Sequence, residues 1–311
     1  MVSELTASAD GEVHGSTSER LRALPAHVGA KIKGQTHVLP RICSVLIRGE
    51  LGLANFRRPK GSFLFVGPTG VGKTETANVF TDYLFPGHAA IRFDMSEYQN
   101  QIAIEKLIGN GVGDAGLLGR SLRNVARGTL LFDEIEKAHP LVLDLFLQVL
   151  EDARITLATG EALDLRNFYV VFTSNIGSEE AIRMENAPFA SVERSVLARV
   201  RERLRPELLG RITEMVVFAR LSYAVQREIC SSMIASECRR LAALHHRIEV
   251  SDAAVEFLVR QGYHRTLGAR PMRGVVERYL QEAVSDSVLG GSNGDGVVVV
   301  DEGGEKLLLQ R

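Results

Sequence analysis

The sequence predicts an α/β domain with a mostly parallel central sheet flanked by helices, followed by a small, mostly helical domain. Three observations lead to this fold class. Between residues 62 and 218, short apolar segments alternate with segments of helical periodicity. The apolar segments are rich in β-branched and aromatic residues and do not alternate in polarity, which is typical of strands buried on both faces of a parallel sheet. After about residue 221, helical patterns dominate.

Five strands are expected in the α/β domain, with amphipathic helices between them. The strands are SFLFV (62–66), AIRFD (90–94), TLLF (129–132), FYVVFTS (168–174) and EMVVF (214–218). Apolar residues recur every three or four positions in LVLDLFLQVLED (141–152) and VERSVLARVRERLR (192–205), which indicates helices. In the small domain we expect helices at 226–244, 252–262 and 271–289, and then a hairpin that turns at Gly303 and Gly304.

The bulk composition narrows the function classes. An apolar content of 45% is that of an ordinary globular protein, and no apolar run approaches the roughly 18 residues of a membrane span. The net charge of −1 gives no bulk attraction to nucleic acid or to anionic membrane. Three cysteines, an odd number without metal-ligand spacing, argue against a disulfide framework and favour the cytoplasm. Residues 1–25 begin with a polar run and are expected to form a flexible tail.

A phosphate-binding loop follows the first strand at once. The stretch GPTGVGKT matches G-x-x-x-x-G-K-T between a buried strand and a helix. Its glycines let backbone N–H groups surround phosphate oxygens, and the helix N-terminus adds partial positive charge. A chance glycine-rich turn that only caps the helix does not account for the strand, loop, Lys-Thr pair and helix in register. The predicted nucleotide-binding residues are Gly67, Pro68, Thr69, Gly70, Val71, Gly72, Lys73 and Thr74.

Two acidic residues close the strand TLLF. Asp133 and Glu134 also follow GVGDAG (111–116), which fits the dinucleotide-binding pattern G-x-G-x-x-G. That stretch follows a helix end at 104–108 and not a strand, so we interpret the match as a coincidence. Downstream of a phosphate loop, Thr74 and Asp133 are expected to hold Mg²⁺, and Glu134 to deprotonate the water that attacks the γ-phosphate. The alternative is an ordinary charged strand end.

Several longer motifs occur in a characteristic order. They are FDMSEY (93–98), LLFDEIEKAHPLVLDLFLQVLEDARIT (130–156), LDLRNFYVVFTSNIGS (163–178), RPELLGRI (205–212) and GARPMR (268–273). Together they resemble the C-terminal AAA+ module of the Clp-type ring ATPases (ClpA, ClpB and relatives), here as a stand-alone single-module chain. The resemblance implies a large nucleotide-binding domain at 26–220 and a small lid domain at 221–311. It also implies ATP and Mg²⁺ at their junction and a hexameric ring, which in the commonest members pulls polypeptide through its centre.

The resemblance assigns three further residues. Asn175 corresponds to the polar sensor that positions the attacking water, although asparagine after a strand is also a common turn former. Arg211 corresponds to the arginine finger that reaches the nucleotide of the neighbouring subunit, and the alternative is a surface arginine. The family usually has asparagine where this chain has Gly210. Arg270 corresponds to the lid sensor that contacts the nucleotide, and its alternative is a surface ion pair.

The segment that corresponds to the family's pore loop departs from the family. Unfoldase members carry a Gly-aromatic-Val-Gly tetrad there, whose aromatic ring can wedge against any polypeptide. Here GNGVGDAGLLG (109–119) is shorter and has no aromatic residue; Val112 is the nearest equivalent, with Leu117 and Leu118 behind it. Between residues 175 and 205 there is also no docking tripeptide for a ClpP-like peptidase.

These features leave three hypotheses. The first is a ring ATPase, a homo-hexamer or a mixed ring, that remodels a protein client or a larger machine. The second is a nucleotide-controlled assembly or interaction module that does not translocate polypeptide. The third is a DNA-remodelling protein, which the sequence does not favour, because acids interrupt its most basic segment, 192–205.

Overall fold

The structure, a computed structural model, describes residues 5–111 and 113–310, with side chains from residue 17 onward. The chain divides into two compact units. The first contains the described residues up to Gly67 together with Gly72–Phe218, and the second contains Pro68–Val71 and the described residues from Ala219 onward.

The first unit is built on a parallel sheet. The strands of this unit are β1 (Gly61–Val66), β2 (Ile91–Asp94), β3 (Gly128–Asp133), β4 (Arg154–Thr156), β5 (Ala162–Asp164), β6 (Phe168–Ser174) and β7 (Glu214–Val217). Five of them form the sheet in the order β2-β3-β6-β1-β7, and every neighbouring pair is parallel. Every residue of β1, β3 and β6 is buried, as expected for central strands covered on both faces. The predicted fold class is therefore confirmed.

Helices surround this sheet in the first unit. They are α1 (Leu5–Lys31), α2 (Leu39–Glu50), α3 (Lys73–Leu84), α4 (Ala103–Ile108), α5 (Gly116–Leu122), α6 (Pro140–Asp152), α7 (Ser178–Arg183), α8 (Phe189–Arg203) and α9 (Pro206–Leu209). Two short 3-10 turns, Met95–Glu97 and Ile135–Lys137, follow β2 and β3. Helix α6 starts at a proline, which has no N–H to leave unpaired in the first turn. Its N-cap His139 accepts a hydrogen bond from the Leu141 N–H through Nδ1.

The N-terminal segment differs from the predicted flexible tail at residues 1–25. Residues 1–4 lie outside the described residues, and from Leu5 the chain is helical. On α1 the side chains of Leu21, Leu24 and Val28 are buried. Their spacing of three and four residues places them on one helix face, which explains why the packed part of the chain begins before residue 26.

The second unit is mostly helical. Its elements are α10 (Tyr223–Ala243), β8 (Ile248–Val250), α11 (Asp252–Gly262), α12 (Arg270–Leu289), β9 (Gly296–Val300) and β10 (Leu307–Gln310). The hairpin predicted at the end of the chain is present as the antiparallel pair β9–β10. Strand β8 pairs in parallel with β9 and was not predicted, because it has only three residues. Phe257, Met272 and Leu280 belong to the core of this unit.

Candidate functional site

The carboxyl ends of three adjacent strands position the site. Strand β6 lies between β3 and β1 and is parallel to both, so the residues that follow these strands meet at one sheet edge. At this edge the Gly67 N–H donates to the Ser174 carbonyl over 3.2 Å. A Cβ at Gly67, where φ is +145°, would lie 2.7 Å from the Phe218 carbonyl oxygen, so only glycine fits here.

Lys73 begins helix α3 and extends toward the ends of β1 and β6. Its side chain is buried, and Nζ donates a hydrogen bond to the Asn175 Oδ1 over 2.9 Å. The same ammonium donates to the carbonyl of Gly67. The contacts hold the lysine at the edge where the phosphate loop leaves β1, which is where the sequence analysis expected it.

Burial lowers the pKa of Lys73 to about 8, because desolvation disfavours the charged ammonium. Three neighbouring carboxylates oppose this effect, with Glu136 the largest contributor, followed by Asp133 and Glu134. An anionic ligand next to this ammonium would favour its charged form further.

The last residue of β3 is held by partners from three different elements. Asp133 is buried, and its Oδ1 accepts hydrogen bonds from Thr74 Oγ1 at 3.2 Å and from Thr173 Oγ1 at 2.8 Å. Its Oδ2 pairs with the Arg92 guanidinium at 2.5 Å. The adjacent Thr74 hydroxyl and Asp133 carboxylate are hard oxygen donors, and Mg²⁺ is held by few protein oxygens together with phosphate and water. These two residues therefore fit the expected Mg²⁺ site.

No larger metal site exists within residues 17–111 and 113–310. No group of three or more His, Cys, Asp or Glu side chains there could hold a metal ion. In the same part of the chain, no helix combines the length and the apolar content that a membrane span requires.

Glu134 has an unusual backbone conformation. Its φ of 57° and ψ of 51° place it in the left-handed region, which non-glycine residues seldom adopt and which costs free energy. The Glu134 N–H donates to Thr173 Oγ1 at 3.2 Å, and its Oε1 accepts from the Asn175 Nδ2 at 3.0 Å. Its Oε2 pairs with the Lys137 ammonium. The carboxylate is thus directed toward Asn175 by contacts on both its backbone and its side chain.

Glu136 is a residue of this site that the sequence analysis missed. Its Oε1 accepts a hydrogen bond from the backbone N–H of Asn175 at 3.0 Å. Its Oε2 is buried and has no hydrogen-bond partner among the described residues. The only signal in the sequence was a second glutamate two positions after Glu134, which resembles an ordinary exposed charge.

Residues 68–71 of the phosphate loop belong to the second unit. There the Ala269 N–H donates to the Gly70 carbonyl over 3.1 Å. At Gly70 φ is +73°, and a Cβ would lie 1.9 Å from the Leu267 carbonyl oxygen, so the position requires glycine. Arg270 begins α12 with an exposed side chain, and its N–H donates to the Leu267 carbonyl at 3.2 Å.

Arg211 is not part of the cluster formed by Lys73, Asp133 and Asn175. Its Nη2 donates to Glu151 Oε2 on α6 at 2.9 Å, and its Nη1 donates to the Glu207 carbonyl at 3.1 Å. The arginine is therefore held on the surface of the first unit by its own chain.

In the glycine-rich segment at 109–119, hydrogen bonds of Asp114 hold the two ends of a turn together. We call this hydrogen-bonded part the closed base of the turn. Val112 lies outside the described residues. The Asp114 N–H donates to the Gly111 carbonyl at 3.3 Å, and Asp114 Oδ1 accepts from the Gly116 N–H and from Arg120 Nη1, both at 3.0 Å.

The two leucines behind the turn differ in exposure. Leu118 is buried in the core and is therefore not available to contact a polypeptide. Leu117 is 39% exposed. The two leucines differ because successive side chains of α5, which begins at Gly116, point to different faces of the helix.

Comparison with known proteins agrees with this architecture. Residues 58–215 match the AAA domain (Cdc48 subfamily) family, and residues 221–300 match the family described as the C-terminal, D2-small domain of ClpB protein. The chaperone protein ClpB of Aquifex aeolicus is 36% identical over 314 residues, which cover 96% of this chain and 31% of that protein. The ClpA homologue of Porphyra purpurea, an ATP-dependent Clp protease ATP-binding subunit, is 36% identical over 94% of this chain and 38% of its own length.

A solved structure is similar over nearly the whole chain. It is a closed-state cryo-EM reconstruction of Hsp104 with ATPγS and FITC casein, with a TM-score of 0.84 and 31% sequence identity. The match covers 95% of this chain and 52% of that one. The chain spans about a third of the length of the curated relatives reported above. Because the AAA family match covers half of the chain and a ClpB-type small domain follows it, the chain belongs to the AAA family and is of the Clp type.

Proposed function

We propose that this chain binds ATP with Mg²⁺ and hydrolyses it to ADP and phosphate. The observation that carries the proposal is the convergence of Lys73, Asn175 and Glu134 through two hydrogen bonds of 2.9 and 3.0 Å at one sheet edge. Beside them, Thr74 and Asp133 provide the oxygens for Mg²⁺. The name of the ClpA homologue, an ATP-dependent Clp protease ATP-binding subunit, includes ATP binding.

Each residue has a distinct role in this proposal. The phosphate loop, Gly67–Thr74, surrounds the phosphates with backbone N–H groups, and the Lys73 ammonium contacts the β- and γ-phosphates. Glu134 accepts a proton from the attacking water, and the Asn175 amide holds Glu134 and that water in line with the γ-phosphate. When bound, Mg²⁺ neutralises charge on the β- and γ-phosphate oxygens.

We further propose that the chain acts in a ring and remodels a protein partner. The relatives are chaperones or Clp subunits by name, and the Hsp104 reconstruction contains a second protein, FITC casein. In such a ring, Arg211 would leave Glu151 and reach the nucleotide of the neighbouring subunit. Residues 221–311 would act as the lid, with Arg270 as its nucleotide sensor. The odd cysteine count supports a cytoplasmic location.

The test of this proposal is ATP hydrolysis by the purified chain at concentrations that allow self-association, with and without casein. We expect Mg²⁺-dependent release of phosphate that casein stimulates, and none from Lys73→Ala. The matched control is Lys106→Ala, which removes an exposed lysine on α4 and should leave the rate unchanged. An inactive wild-type chain at every concentration would contradict the proposal.

A second candidate function is a nucleotide-controlled assembly module without translocation. The closed base of the turn at 109–119 favours it, because Asp114 holds both the Gly116 N–H and the Arg120 guanidinium. At Gly109 a Cβ would lie 1.8 Å from the Asp114 carbonyl oxygen, so the base is tightly packed. This function predicts ATP-dependent oligomers that hydrolyse ATP at a rate insensitive to casein and do not unfold a tagged reporter protein. The remodelling function predicts stimulation and unfolding.

A further inference from the structure

Glu136 acts on the site through a backbone contact. It lies in the 3-10 turn that follows β3, and its Oε1 accepts from the Asn175 N–H at 3.0 Å. The side chain of the same asparagine accepts from Lys73 and donates to Glu134. The Glu136 carboxylate therefore fixes the main chain of Asn175. The side-chain amide of Asn175 contacts the Glu134 carboxylate and the Lys73 ammonium.

The hydrogen bonding of the Glu136 carboxylate is incomplete. Its Oε2 is buried without a hydrogen-bond partner among the described residues, and an unpaired buried carboxylate oxygen destabilises a fold. The bond to the Asn175 N–H is its only hydrogen bond in the part of the chain that the structure describes. Its hydrogen bond is to the residue that orients Glu134, and its negative charge favours the buried Lys73 ammonium, so both of these interactions are with residues of the site.

We propose that Glu136 is a positioning residue for ATP hydrolysis, which holds the Asn175 backbone so that the Asn175 amide orients Glu134. The inference rests on the proposed function for its catalytic consequence. The contact itself requires no nucleotide. Because the bond is to a main-chain N–H, holding Asn175 requires the length of the side chain and an acceptor oxygen, whereas its charge acts on Lys73.

Two variants separate the effect of the length of the Glu136 side chain from the effect of its charge. Glu136→Asp keeps the charge and shortens the side chain by one carbon, so it loses the bond to Asn175. Glu136→Gln keeps the length and an acceptor oxygen and loses the charge. The matched control is Glu97→Asp, which shortens an exposed glutamate in the neighbouring 3-10 turn.

We expect Glu136→Asp to lower kcat about tenfold or more, with KM for ATP changed by less than about twofold. Glu136→Gln should recover most of the rate, and Glu97→Asp should match the wild type. Adding Glu136→Asp to Asn175→Ala should lower kcat no further, because the effect passes through Asn175. Full additivity in this pair would overturn the proposal.

A second readout needs no nucleotide. Hydrogen–deuterium exchange at the Asn175 amide should be about tenfold faster in Glu136→Asp than in the wild type and close to the wild-type rate in Glu136→Gln. Unchanged exchange in Glu136→Asp overturns the inference, as does faster exchange with a wild-type kcat. If the wild-type chain does not hydrolyse ATP, the proposed function fails and takes the catalytic role with it, while the exchange data still test the contact.

Discussion

Asn175 donates a hydrogen bond from its side-chain nitrogen to Glu134 Oε1 over 3.0 Å. The two residues are 41 positions apart in the chain and meet because β3 and β6 are neighbours in the sheet. The bond gives the proposed catalytic carboxylate a defined direction before any ligand is present. It also identifies the most informative side chains to alter.

Replacing Asn175 with aspartate should lower the hydrolysis rate. Asn175→Asp removes the donor to Glu134 and brings a second negative charge next to it, while an acceptor for Lys73 remains. We expect kcat to fall roughly 100-fold, with a smaller change in ATP affinity. Steady-state kinetics provide the measurement, with Asn100→Asp, at an exposed position, as the control. A normal kcat would mean that the Asn175–Glu134 bond has no role in the reaction.

ATP binding should weaken as the pH rises above 8. Burial lowers the pKa of Lys73 to about 8, so the free protein loses the ammonium that attracts phosphate as the pH passes this value. We expect the Kd for ATP to be about tenfold higher at pH 9 than at pH 7. Without nucleotide, Lys73 keeps its proton to a higher pH in the unfolded chain than in the folded chain. The free energy of unfolding should therefore rise with pH above 8 at this site.

Calorimetric titration with ATP at several pH values tests this expectation. Lys106→Ala, which removes an exposed lysine, should show the same profile as the wild type. A Kd that stays constant from pH 7 to pH 9 would show that the proton of Lys73 is retained or is not needed.

Arg211 should act on a neighbouring subunit. In the single chain it is paired with Glu151 and bound to the Glu207 carbonyl. We expect Arg211→Ala and Lys73→Ala to be inactive alone and to regain ATPase activity when mixed. In mixed rings the second variant supplies the arginine to the intact nucleotide site of the first. Phosphate release by the mixture is the measurement.

The matched control for this mixing experiment is Arg205→Ala. Arg205 is a nearby exposed arginine paired with Asp144, and its loss should not reduce the rate. Variants that co-purify as mixed oligomers and yet stay inactive would exclude a role for Arg211 across the subunit interface.

Arg92 should stabilise the chain in the absence of magnesium nucleotide. It contacts the buried Asp133 carboxylate and offsets part of the cost of burying that charge when no Mg²⁺ is bound. Since Arg92 is 55% exposed, solvent screens the pair, and we expect Arg92→Gln to lose only about 1 kcal/mol of unfolding free energy in EDTA. Urea denaturation measures the loss. Arg166→Gln, which breaks an ion pair exposed on both sides, should cost less.

A cluster of aromatic rings should dominate the stability of the first unit. The Phe132 ring centroid lies 4.5 Å from that of Phe146, 5.4 Å from Phe93 and 5.6 Å from Phe172. Phe132→Ala should therefore cost about 3–5 kcal/mol of unfolding free energy in urea titrations. Phe56→Ala, at a phenylalanine that is 75% exposed, should stay within about 0.5 kcal/mol of the wild type.

The two parts of the site differ in how well the sequence predicts them. The phosphate loop and Asp133 could be proposed from the sequence, because each belongs to a short continuous motif that follows an apolar strand. Arg92 and Glu136 could not be found in this way. Each is an ordinary charged residue by its neighbours, and its partner lies 41 or 39 positions further along the chain.

The sequence alone predicted the five strands of the parallel sheet and helices such as α6, α8 and α10, because the local spacing of apolar residues dictates which segments can be buried in a sheet or on a helix face. It also led to the prediction of which residues bind phosphate and metal. The tertiary structure decided which of those residues meet. Only the placement of β6 between β3 and β1 brings Asn175 to Lys73, Glu134 and Glu136, because strand order is set by long-range packing and not by local pattern.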